Sequence, residues 1–287
     1  MQGTGQRDRV GEVIAERYRL VERLGFGGQS VVYRAVDLQH GDEVALKILT
    51  DTSSQDASWR ERIMRESHAL TVLVGTAAVR VYHQAWTADG AFCLVMELLR
   101  GLDFEDHLRK LADAGRQLGL PELGTLLSPI VDTLEVAHEA GIVHRDIKPS
   151  NIFVLSDGSV RLLDFGFAKF TRMPGLTVPG YVAGSPSYLA PEIWKGSTRL
   201  DQRIDVYSLG AVIFRALAGR PPFAAPEIHE LRKLVIQAPR PSLHQQRPDL
   251  PADVDRWAEQ VLAIDPDQRF SRTRAAWNAL QSFVPER

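Results

Sequence analysis

The sequence predicts an α+β fold of two lobes, a strand-rich N-terminal part and a larger, mainly helical C-terminal part. Short apolar runs separated by glycine turns fill about the first hundred residues, as antiparallel strands require. Past Gly101 the apolar spacing changes to a helical period. The 287 residues, 44% of them hydrophobic, are enough to bury a sizeable core.

The elements follow in order. Residues 18–24 form the first expected strand, a glycine-rich turn comes next, and strands follow over 31–36 and 43–49, with Gly41-Asp42 as a hairpin signal. Helical spacing appears over 58–74, where Trp59, Ile63, Leu70, Leu73 and Val74 share a stripe. Strands return over 79–86 and 92–98 around the turn Asp89-Gly90. Asp103 reads as the N-cap of a helix over 104–112. Residues 121–140 carry a strong 3.6-residue pattern from Leu123 to Ala137. Residues 204–217 are apolar nearly all round, so that helix should be buried on every side, and Gly219 with Pro221-Pro222 stops it. Amphipathic stretches over about 252–263 and 271–283 close the chain. The expected division is an extension over 1–17, a first lobe over 18–97 and a second over 98–287. Clefts between lobes are common ligand sites.

A net charge of −2 gives no electrostatic footprint for nucleic acid or an anionic membrane. The single cysteine, Cys93, rules out an internal disulfide framework, and in Phe92-Cys93-Leu94-Val95-Met96 it reads as a small buried hydrophobe. Met1 to Arg9 lacks an apolar signal region, and no stretch approaches the roughly 18 apolar residues that span a bilayer. The expectation is a soluble, cytoplasmic chain without a membrane segment, either whole or a catalytic piece of a longer protein.

Four stretches carry chemistry and a fifth is scaffold. In Gly25-Phe26-Gly27-Gly28-Gln29-Ser30-Val31-Val32 the glycines would let backbone N–H groups approach phosphate oxygens, although a glycine cluster between strands is also an ordinary hairpin. Lys47, inside the apolar run Val44-Ala45-Leu46-Lys47, must snorkel to solvent or find an anion. Glu66, mid-helix, and Glu61, nearer the helix start, are acids that could meet it, and both could equally be solvated. His144-Arg145-Asp146-Ile147-Lys148-Pro149-Ser150-Asn151 sets an acid, a lysine and an amide at fixed offsets. Asp164, in Leu162-Leu163-Asp164-Phe165-Gly166, follows apolar residues, a costly place for an acid unless it meets a cation. Ala190-Pro191-Glu192 closes the segment that Asp164 opens.

In this order, over about residues 18–283, the motifs resemble the protein-kinase superfamily. The glycine stretch through Tyr33, and Arg17-Tyr18-Arg19-Leu20 before it, are most similar to bacterial eukaryotic-like serine/threonine kinases. The resemblance implies a bilobal protein-kinase-like fold, with an antiparallel sheet and one main helix in the N-terminal lobe. It implies transfer of the γ-phosphoryl group of ATP to Ser or Thr hydroxyls of protein substrates. Asp146 would be the catalytic base, Lys148 would neutralise charge on the transferring group, and Asn151 with Asp164 would hold Mg²⁺, with Mn²⁺ as an alternative. Lys47 would contact the phosphates and Glu66, beneath whose helix Phe165 would lie. Leu24, Gly25, Phe26, Gly27, Gly28, Gln29 and Ser30 would cover the nucleotide. Val32, Ala45 and Phe153 would sandwich the adenine, Met96 would be the gatekeeper, backbone groups of Glu97 and Leu99 would bond the adenine edge, and Asp103 the ribose. Ser30 replaces the third glycine of the pattern and Ser185 a usual threonine; both keep the needed N–H or hydroxyl.

Scaffold roles are implied as well. His144 would be structural, Glu192 would pair with Arg269, and Asp205 would accept hydrogen bonds from the catalytic-loop backbone. An arginine before the catalytic Asp, Arg145, points to a phosphate on the activation segment, with Thr177 ahead of Thr171 and Tyr181. A homodimer for autophosphorylation is implied by the family alone. Two readings compete. A pseudokinase scaffold should have lost Lys47, Asp146, Asn151 or Asp164, and none is lost. A small-molecule phosphotransferase would generally lack Ala190-Pro191-Glu192 and its arginine partner, and both are present.

Overall fold

The structure, a computed structural model, describes residues 8–27, 30–49, 70–165, 186–198 and 200–284. Its chain contacts divide into two units, one from Met1–His68 and Val79–Arg100, the other from Ala69–Ala78 and Gly101–Arg287.

In the first unit six strands form one antiparallel sheet: β1 (Val13–Ile14), β2 (Tyr18–Gly27), β3 (Ser30–Asp37), β4 (Glu43–Leu49), β5 (Val81–Trp86) and β6 (Phe92–Glu97), in the order β1-β2-β3-β4-β6-β5. Burial alternates strictly along β3, with Val31, Tyr33, Ala35 and Asp37 buried, as the two-residue strand period demands. Val31, Tyr33 and Ala35 join Val44, Leu46, Ile48, Cys93 and Val95 in one core cluster on one face of the sheet. Pairing with β3 continues as far as Gly27 and Ser30, so β2 runs three residues beyond its expected end. Val13–Ile14 pairs with β2, so the expected extension contributes an edge strand. Of the helix expected over 58–74, residues 58–69 lie outside the described residues; 70–74 group with the second unit, and Leu70–Leu73 is a single 3₁₀ turn.

The second unit is helical around a small sheet. Its helices are α1 (Phe104–Asp113), α2 (Leu120–Glu139), α3 (Pro191–Trp194), α4 (Arg203–Ala218), α5 (Ile228–Gln237), α6 (Val254–Val261) and α7 (Thr273–Gln281). Strands β7 (Gly101–Asp103), β8 (Ile152–Leu155) and β9 (Val160–Leu162) pair antiparallel in that order. Gly101 has φ 154°, and a Cβ there would lie 2.1 Å from the Val154 carbonyl oxygen, so only glycine lets β7 approach β8. α4 is buried along nearly its whole length, and at Gly210 a Cβ would meet the Val261 side chain at 2.6 Å, which fixes how closely α6 approaches. Gly219 ends α4 in the left-handed conformation, φ 76°. Pro129 lies inside α2; the Thr133 hydroxyl donates to the Pro129 carbonyl at 2.7 Å and accepts from Ala77 N–H at 2.9 Å. That bond ties the 69–78 segment to the helix. Among the described residues no helix is long and apolar enough to cross a membrane.

Candidate active site

Asp205, fully buried at the start of α4, organises the loop before it in space. Its carboxylate accepts the backbone N–H of His144 and of Arg145, each at 2.8 Å, and the Nε2–H of His138 at 2.7 Å. A buried carboxylate needs such donors to offset its lost hydration. Arg145 is thereby held at φ 70°, a left-handed backbone that a non-glycine residue rarely adopts. His144 is buried and accepts from Asp146 N–H at Nδ1 (3.2 Å) while Nε2 donates to the Leu163 carbonyl at 2.8 Å. These bonds assign its neutral tautomer and leave it no lone pair for base chemistry. Its ring also meets Phe165 edge-on, 4.7 Å between centroids.

The loop delivers three functional groups to one point. Lys148 Nζ donates to Asp146 Oδ2 at 2.7 Å, and Asn151 Nδ2 donates to the same oxygen at 3.0 Å and to the Asp146 carbonyl at 2.8 Å. Both donors take Oδ2, and the Asp146 side chain is 30% exposed. The Asn151 amide nitrogen is thus committed to Asp146. Leu163 N–H donates to the Asn151 carbonyl at 2.8 Å, which couples this loop to Asp164, itself at φ 63°. Phe165 is buried in the second unit's core.

In the first unit, strand register sets out a second group. Val32 stands opposite Lys47, Lys47 opposite Leu94, and Ala45 opposite Met96. Opposed residues share a face, so Val32, Ala45, Lys47 and Met96 line the side of the sheet away from the core cluster. Lys47 is only 7% exposed and Ala45 and Met96 are buried, whereas Leu24 and Phe26 beside the glycine turn are exposed. Glu97 is fixed through both its N–H and its carboxylate, to the Arg80 carbonyl (2.9 Å) and Arg80 N–H (2.8 Å). Leu99 is half-buried.

Asp103 and Phe153 face each other across β7 and β8. Asp103 is the N-cap of α1, accepting Asp106 N–H at 2.8 Å, as its position before the helix predicts. Gly28, Gln29, Glu61, Glu66, Thr171, Thr177, Tyr181 and Ser185 lie outside the described residues. Glu192 and Arg269 pair as expected, through two hydrogen bonds of 2.8 and 2.7 Å. Sequence reasoning missed His138. The available signal was a histidine four residues after Leu134, on the apolar stripe of a helix, where a polar side chain needs a buried partner.

The Protein kinase domain family model matches residues 18–282. Serine/threonine-protein kinase PknA of Mycobacterium tuberculosis is 36% identical over 266 residues, covering 91% of this chain. The chain spans 60% of that relative's length. Serine/threonine-protein kinase PknL of the same organism is 30% identical over 283 residues, 98% of this chain and 69% of the relative. A crystal structure of the M. tuberculosis PknI kinase domain superposes with a TM-score of 0.73 at 27% identity, covering 96% of this chain and 99% of that one. A single-site mutant of that domain gives 0.76 at 25% identity, with coverage of 98% and 100%. In sequence, in architecture and in the layout of its loops, the chain belongs to the protein kinase domain family.

Proposed function

We propose that this chain is an ATP-dependent serine/threonine protein kinase acting on protein substrates in the cytoplasm, where its nucleotide is found. The observation that carries the reading is Asp146, whose carboxylate is gripped on one oxygen by Lys148 and Asn151. In that role Asp146 Oδ1 accepts the hydrogen bond of the substrate hydroxyl and aims its oxygen at the γ-phosphorus. Lys148, already beside Asp146, offsets negative charge on the transferring group. Asn151 and Asp164 supply an amide oxygen and a carboxylate, hard donors that suit Mg²⁺ or Mn²⁺ together with phosphate oxygens. The ion would supply positive charge to screen the phosphates.

In the first unit Lys47 would contact the phosphates, with Glu66 as its partner. Leu24 to Ser30 serve as cover, Val32 and Ala45 lie against the base, and Met96 is the gatekeeper. Backbone groups of Glu97 and Leu99 bond the adenine edge. In the second unit Asp103 would bond the ribose and Phe153 would pack on the base. Asp103 can cap α1 with one oxygen and hold a hydroxyl with the other. Arg145 would bind a phosphate on the segment 166–185, with Thr177 the first choice, and a homodimer would deliver it.

The test is transfer of labelled phosphate from ATP with Mg²⁺ to the protein itself and to a general acceptor protein, beside Asp146→Asn. Wild type should incorporate label and the variant should lose at least about a hundredfold in rate. Phosphopeptide mapping should place the self-modification on Ser or Thr of 171–185. Equal incorporation by both proteins, or none by a wild type that binds ATP, would overturn the proposal.

A further inference from the structure

A chain of alternating charge runs along the first unit, and its geometry ends at the connection after β6. Glu22 Oε2 accepts from Arg34 Nε at 3.1 Å and lies 3.0 Å from Nη2. Arg34 Nη1 donates to Glu43 Oε1 at 2.7 Å, and Arg100 Nη2 donates to Glu43 Oε2 at 2.6 Å. Both oxygens of Glu43 are therefore used, one by each arginine. Arg34 stands opposite Glu22 on β2 and opposite Ala45 on β4, so the chain lies on the same sheet face as Val32, Ala45 and Met96. Glu22 is three residues before Gly25.

We infer that Glu43 is a positioning residue for nucleotide recognition: through Arg100 it fixes the backbone of residues 97–99, while Arg34 and Glu22 anchor it to the strand that leads into the glycine turn. The inference rests on the kinase reading, in which the 97–99 backbone meets the adenine edge. The connection is held at its near end by the two Glu97–Arg80 bonds. At its far end the Glu43–Arg100 pair holds it. A short segment fixed at both ends has little conformational freedom left to lose when a ligand binds, and preorganisation of this kind raises affinity without adding a contact. Single exposed ion pairs contribute little, and Arg100 is 75% exposed. Glu43, however, is shared by two guanidinium groups in a network of four charges, where the pairs reinforce one another.

Adenosine is the probe, because it carries the base and ribose but no phosphate and so is blind to Lys47 and the metal. Calorimetry should give a dissociation constant roughly two- to fivefold higher for Glu43→Gln and for Arg100→Gln than for wild type. The double variant should be no worse than either single one, since both remove the same link. Raising salt should weaken adenosine binding to wild type towards the variant's value and leave the variant nearly unchanged. The turnover number at saturating ATP should stay within about twofold, because nothing at Asp146 is altered. Arg100→Gln changes an exposed side chain, so it reports even if Glu43→Gln is poorly folded. Wild-type affinity in both single variants, or additive losses in the double one, overturns the inference and leaves the kinase reading standing. A wild type that neither binds adenosine nor transfers phosphate overturns both.

Discussion

Glu192 and Arg269, 77 residues apart, meet through two parallel hydrogen bonds with the arginine side chain wholly withdrawn from solvent. The guanidinium has further acceptors in the carbonyls of Ala263 (2.7 Å) and Arg203 (3.0 Å) and lies 5.0 Å from the Tyr207 ring centroid. The pair thus joins the start of α3, the start of α4 and the turn before α7. Replacing Arg269 by methionine leaves the Glu192 charge buried without its counterion. The expected loss is about 3–5 kcal/mol of unfolding free energy in urea titration. Arg269→Lys should also lose stability, because an ammonium cannot reproduce the fork. Wild-type stability in the methionine variant would show that water reaches Glu192 and replaces the arginine.

Asp205 and Arg145 make a second test. The Asp205 carboxylate takes the N–H groups of His144 and Arg145, one on each oxygen. Asparagine has the same shape but turns one acceptor into a donor facing an N–H. The strained Arg145 backbone then loses a support, and Asp146, the next residue, loses its aim. Asp205→Asn should lower the turnover number about tenfold or more with little change in the Michaelis constant for ATP. Equal turnover by the two proteins would mean that His144 and its bonds to Leu163 and Asp146 hold the loop unaided.

Much of this architecture was readable in the letters, and the boundary of legibility is physical. Short apolar runs between turn residues named β3 and β4 almost to the residue; burial then alternates along β3, which has one face on a core, whereas β4 is buried on both faces after Glu43. The all-apolar stretch at 204–217 became α4 for the matching reason that a helix buried all round has no polar face to show. β7, β8 and β9 are three or four residues long, too short for any period, and went unread. α5 was missed because only Leu231 and Val235 are buried among His229, Glu230, Arg232 and Lys233. In the loop, Asp146, Lys148 and Asn151 are close in sequence, so their meeting could be expected. His138 on Asp205, and Arg100 on Glu43, join residues 67 and 57 positions apart. Such pairs depend on how elements come together in three dimensions, which spacing does not encode.

Cys93 gives a chemical check on the first unit's core. It is fully buried on β6, with Sγ 3.7 Å from the Ala91 carbonyl. Burial pushes its thiol up to about 12, so almost no thiolate exists at neutral pH. A disulfide reagent such as DTNB should leave the native protein unmodified for hours and titrate one thiol in urea. Rapid labelling in buffer would mean that β6 opens locally, and that the sheet face bearing Ala45 and Met96 is less rigid than its burial implies.

Asp37 supplies the pH dependence. The Arg17 guanidinium donates to both its oxygens, at 2.9 and 2.6 Å, and holds its carboxyl well below the usual carboxylate range; His40 and the N–H of Gln39 add to the effect. The unfolded chain, with an ordinary carboxyl near pH 4, binds the proton more readily than the folded one. Stability from this group is therefore fully present above about pH 5 and drains away as the pH falls through the ordinary range toward the depressed folded value. Asp37→Asn should lower the thermal midpoint at pH 7, and the gap to wild type should narrow steadily from pH 5 to pH 3. The Arg17 carbonyl also accepts Leu38 N–H, so the turn at Ala15 and Glu16, both at positive φ, is tied to the β3–β4 turn by two links. If the gap stayed constant with pH, the aspartate would be acting as a neutral hydrogen-bonding group and the charge on Arg17 would be balanced elsewhere.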